Sequence, residues 1–140
     1  MTPEQVKLVQ ESFGKVAPIA EQAAGLFYQR LFELDPSLRG LFKGGDMKAQ
    51  GQKLMQALTM VVKGLDRPGT ILPGVVALGQ RHVDYGVKDE HYATVGQALL
   101  WTLERGLGSE FTPGVKEAWS AAYNLLATVM KEAAAKKKMG

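Results

Sequence analysis

Apolar residues recur at helical spacing along almost the whole chain, and no stretch alternates apolar and polar in the manner of a strand. Val6, Val9, Phe13 and Val16 share one face. Before them, Thr2-Pro3-Glu4-Gln5 reads as a capping box with proline in the first turn, and Pro18 marks the end. The spacing predicts a second helix from about Ile19 to Leu34, with Phe27, Leu31 and Leu34 inward. Asp35-Pro36 then stops it and caps a short helix from Ser37 to about Leu41, followed by a flexible corner at Gly44-Gly45. A long helix from about Met47 to Leu65 places Gln50, Leu54, Ala57, Leu58 and Val61 on one face. Arg67-Pro68-Gly69 breaks the pattern, and the next helix carries Leu72, Val75, Leu78, Gly79 and His82 before Gly86 ends it. A helix from about Glu90 to Leu107 presents Tyr92, Val95, Leu99 and Leu103. After a break from Gly108 to Gly114, with Thr112-Pro113 as cap and first turn, the last helix repeats Val115, Trp119, Tyr123, Leu126 and Met130.

The fold class is therefore all-α, with six or seven helices in a single domain over residues 1–140. Helices of mixed length with breaks of this kind fit packing around something central better than an up-down four-helix bundle. Hydrophobic residues make up 46% of the chain, enough for one sizeable core. No apolar run approaches the roughly 20 residues that span a bilayer, and Met1–Val9 lacks the basic-then-apolar order of a secretory signal. The absence of cysteine excludes disulfides, iron–sulfur clusters, thiolate ligation of haem and cysteine nucleophiles, and fits a cytoplasmic protein. The net charge of +3 is concentrated at Lys136, Lys137 and Lys138. A lysine run at a helix end suits the C-terminal dipole, and without interleaved aromatics or a recognition motif it points to no nucleic-acid partner.

Polar residues on inward faces carry the chemistry. Of the two histidines, His82 lies one turn after Leu78 on the inner face of its helix, whereas His91 sits in a first turn and reads as structural or partly exposed. A buried histidine can be satisfied by a backbone carbonyl alone. Yet Gln50 and Tyr28 also face inward, and each such group costs free energy unless something satisfies it. A haem with a ligand on its iron would satisfy all three.

Taken together and in order, Leu26-Phe27-Tyr28-Gln29-Arg30-Leu31-Phe32, Leu41-Phe42, Arg81-His82, Gly86-Val87, Glu90-His91-Tyr92 and Ala118-Trp119-Ser120-Ala121-Ala122-Tyr123 resemble the bacterial globins, both the single-domain type and the haem domain of flavohaemoglobins. The 32-residue step from Gln50 to His82 is similar too. The resemblance implies a globin fold around one haem b, iron protoporphyrin IX, with His82 as the proximal iron ligand. It implies Tyr28 and Gln50 as the distal pair, Leu54 as the apolar residue over the gas ligand, and Phe42 as the haem-wedging phenylalanine. Leu78 and Val87 would pack on the proximal haem face, Tyr92 would be the proximal tyrosine, and Lys53 would point to the haem edge within reach of a propionate. Trp101, Trp119, Tyr123 and Tyr85 read as core or interface aromatics. One departure stands out: where flavohaemoglobins carry a glutamate near the proximal histidine, counting from Trp119 gives Ala134, with Glu132 turned to another face.

Tyr28 can donate its phenolic hydrogen and Gln50 its amide hydrogens to a negatively charged ligand atom. The expected function is reversible binding of oxygen, with nitric oxide and carbon monoxide as further ligands. The alternative is nitric oxide dioxygenation with an electron-donating reductase as partner. A gas sensor, and a globin-fold interaction module without haem, stay open at this stage.

Overall fold

The computed structural model describes residues 1–42 and 45–139. Among these described residues six α-helices follow one another: α1 Pro3–Val16, α2 Ala20–Leu34, α3 Met47–Lys63, α4 Pro68–Asp84, α5 Asp89–Leu107 and α6 Pro113–Met139. There is no strand among the described residues. Short 3₁₀ segments at Ala17–Ile19, Pro36–Phe42 and Gly108–Glu110 join them, so the short helix expected at Ser37–Leu41 is a 3₁₀ segment. Gly44 of the expected corner lies outside the described residues.

The helix ends follow local chemistry. Thr2 and Gln5 form a full capping box: the Gln5 amide donates to Thr2 Oγ1 (3.1 Å) and the Thr2 amide donates to Gln5 Oε1 (3.0 Å). Asp46 Oδ1 accepts from the amides of Lys48 and Ala49 and so starts α3. The α4 helix begins at Pro68 itself, because proline suits a first turn whose amide has no partner. Its C-terminus closes at Gly86, which adopts φ +88°, and the amides of Gly86 and Val87 bond back to the carbonyls of Val83 (3.0 Å) and His82 (3.0 Å). That is a Schellman motif, and only glycine takes its left-handed position without strain.

The apolar stripes close over one core, in which Val9, Phe13, Phe27, Leu31, Leu99, Leu103, Ala118 and Trp119 are buried. Trp119 Nε1 donates to Ser12 Oγ (2.8 Å), which itself donates to the Leu8 carbonyl, so the polar atoms of that contact are all satisfied. Two apolar or aromatic expectations need correction. Leu72 is 48% exposed, because the end of the α4 stripe borders a surface crevice with Leu125 and does not enter the core. Tyr85 is 57% exposed. At the C-cap of α4 its ring leans on His82, 5.6 Å between centroids, with solvent on the other side.

Candidate functional site

The site is assembled where small residues let helices approach. At Gly51 a Cβ would stand 2.9 Å from the Ala24 side chain, so α2 and α3 cross closely there. Gln50 is the neighbour of Gly51 on α3, and Tyr28 is one turn beyond Ala24 on α2. The crossing brings the two together: Gln50 Nε2 donates to Tyr28 Oη at 3.2 Å. Because the phenolic oxygen accepts here, its own hydrogen stays available to a third group. The Tyr28 ring is held by edge contacts to Phe27 (5.0 Å, 83°) and Phe42 (5.4 Å, 76°), and Phe42 also meets Phe32 edge-on. Burial pushes the Tyr28 phenol above its ordinary pKa, with the Gln50 bond opposing, so it stays protonated and able to donate at neutral pH.

His82 is fixed from its own helix. Its Nδ1 lies 2.7 Å from the Leu78 carbonyl and donates to it, which sets the tautomer and leaves the Nε2 lone pair free. Burial lowers the His82 pKa most, the Leu78 bond opposes, and the neighbouring Arg81 lowers it further, so the ring is neutral and ligand-competent. Among the described residues no group of histidine, cysteine, aspartate or glutamate could hold a bare metal ion. A lone neutral imidazole of this kind suits a metal whose other positions are filled by a porphyrin.

The ring of Tyr92 lies 6.4 Å from that of His82 at an interplanar angle of 27°. Its backbone carbonyl accepts from Tyr123 Oη at 2.5 Å, while its own hydroxyl is buried without a partner among the described residues. Leu54, Leu78, Val87 and Phe42 are partly buried against the core, and Leu54 lines an apolar cavity with Phe27, Leu58 and Leu99. Lys53 is exposed. His91 caps α5, its Nδ1 accepting from the Lys88 amide at 3.0 Å, in line with a structural role. Ala134 is buried and Glu132 exposed.

A globin family profile matches residues 25–130, which include Tyr28, Phe42, Gln50, Leu54, His82 and Tyr92. The chain belongs to the globin family. Curated relatives of this globin are flavohemoproteins: that of Rhodopirellula baltica is 33% identical over 92% of the chain and 32% of its own length. That of Bordetella parapertussis is 34% identical over 93% of the chain and 33% of its own length. That of Bacillus subtilis is 31% identical over 87% and 31%. The globin thus spans about a third of the length of the curated relatives it matches. It is a haem-binding fold, and the neutral histidine with a free Nε2 and the buried hydroxyl of Tyr92 fit that cofactor. One side chain that sequence reasoning left aside packs on Tyr92 from α6. Lys131 holds its Nζ 5.6 Å from the centre of the Tyr92 ring, and the spacing Tyr123, Ala127, Lys131 along one helical face is the signal that could have found it.

Proposed function

We propose that this chain holds one haem b through Nε2 of His82 and binds oxygen reversibly, with nitric oxide and carbon monoxide as further ligands at the same position. A bound haem would supply the iron that takes the gas, and the residues around it would supply the surroundings that hold it. Leu78 sets the His82 tautomer; Phe42, Leu78 and Val87 would pack on the porphyrin, and the Lys53 ammonium would be free to pair with a propionate. On the distal side Leu54 keeps the position dry, and Tyr28 donates its phenolic hydrogen to the gas ligand with Gln50 as the second donor. The observation that carries the reading is the 3.2 Å bond from Gln50 to Tyr28, which orients a buried, protonated phenol whose hydrogen is not consumed within the protein. Glutamine is a poor iron ligand beside imidazole, so Gln50 would not compete with a gas for the iron of a bound haem. The test is spectroscopic. The reduced, haem-loaded chain should show a five-coordinate Soret spectrum that shifts on oxygen and reverts on its removal. A chain that takes up haem but oxidises at once, without a stable oxygenated spectrum, contradicts the proposal.

The second reading is nitric oxide dioxygenation, in which nitric oxide, oxygen and one electron give nitrate. It is favoured by the relatives, whose name pairs a flavin with haem and which are about three times as long as the matched part. The electron would come from a reductase, and the cell compartment would be the cytoplasm. Oxygen consumption that depends on nitric oxide, measured with a flavin reductase present, separates the two readings.

A further inference from the structure

The proximal side carries an excess of positive charge that the gas-binding reading does not use. Tyr92 lies beside His82, its hydroxyl buried without a partner among the described residues. The charged groups around this pair come from three helices: Arg81 on α4 next to His82, Asp89 on α5 near the Tyr92 phenol, and Lys131 on α6 over the Tyr92 ring at 5.6 Å. Lys131 is partly buried, so its ammonium is drawn to the negative ring face and is less screened than a free surface lysine. On the same helix Ala134 is buried and Glu132 exposed. The helix therefore brings a cation to the proximal tyrosine where a carboxylate would have the opposite effect.

We propose that Lys131, seated on Tyr92, is an electrostatic positioning residue for the iron site, favouring the ferrous over the ferric state. The direction follows from charge alone. Oxidation adds a positive charge at the iron, and a nearby cation opposes it. A ferrous bias is what a gas-binding protein needs, since oxygen binds only the reduced iron. The inference rests on the haem reading above.

The experiment is a spectroelectrochemical titration of the full, haem-loaded chain with Lys131, Lys131→Arg, Lys131→Gln and Lys131→Glu. Arg should keep the native potential. At a fixed poise Gln should raise the ferric-to-ferrous ratio about threefold and Glu about tenfold, a tenfold change being 59 mV for a one-electron couple. The potential should follow the charge at this position and not the size of the side chain, which a purely structural role would not produce. Variants that take up haem and oxygen normally while the potential ignores the charge at this position overturn this inference alone. Failure of the native chain to take up haem at all overturns both readings.

Discussion

At the scale of single residues, the proposed function rests on the donors of Tyr28 and Gln50 and the Nε2 lone pair of His82. A hydrogen bond to a charged group contributes about 1.5–3 kcal/mol, and about 1.4 kcal/mol is tenfold in a rate or equilibrium. Tyr28→Phe should therefore raise the oxygen dissociation rate by about 10- to 100-fold, read by stopped-flow displacement with carbon monoxide. Gln50→Leu should raise it too, and the double variant should fall short of the product of the two, because Gln50 also orients Tyr28 through their 3.2 Å bond. A Tyr28→Phe rate equal to the native one would mean the phenol points away from the ligand. The inward placement of Tyr28 and Gln50 was legible in the sequence because each is a polar group on an apolar face, a costly placement that asks for a partner. What the sequence could not give was the bond between them. It depends on how closely two helices 22 residues apart in that pair approach, and Gly51 against Ala24 decides that.

At the scale of elements, α4 is held by its neighbours in a way that fixes His82. A Cβ at Gly79 would stand 2.6 Å from the Met130 carbonyl oxygen and 2.8 Å from its Cα, so α4 meets backbone there and cannot be relieved by a side-chain movement. Gly79→Ala should destabilise the fold by about 1–3 kcal/mol, as overpacking does, measured as a shift in the urea midpoint. It should also broaden the iron–histidine band by displacing α4. An unchanged midpoint would show that the two helices slide apart freely. Farther along, Lys137 pairs with Asp84 (2.8 Å) and reaches the Gln80 carbonyl, tying the lysine run to the end of α4. The helices themselves were readable from the 3.6-residue period and from caps such as Thr2 and Thr112. Periodicity identifies a face but not how far the covering neighbour extends. That is why Leu72, on the α4 stripe, lies exposed beside Leu125, and why Tyr85 meets solvent at the helix end. Pro68 was read as a break because proline ends helices as readily as it begins them, and here it begins one.

At the scale of the whole molecule, three tyrosines, Tyr28, Tyr92 and Tyr123, are held protonated, chiefly by burial. Their folded pKa values lie above the unfolded value of about 10. The folded state therefore keeps its protons longer, and the stability this gives is full below about pH 10 and is lost as the pH rises towards the folded values. Unfolding midpoints followed by far-ultraviolet circular dichroism should be flat in these groups up to about pH 10 and fall above it. Tyr123→Phe should make the fall shallower, and a fall of native steepness would show that this phenol ionises freely in the folded state. The fold class and the family were legible because every segment of the pattern, from the aromatic run at Phe27 to Trp119, agrees with the same architecture. The central claim is that one histidine holds the haem, and haem titration of His82→Ala followed by the Soret band tests it most directly. The native chain should bind one equivalent with a five-coordinate ferrous spectrum, and the variant should lose most of that binding and regain the spectrum when imidazole is added. A His82→Ala variant with native haem content and an unchanged spectrum would contradict the account.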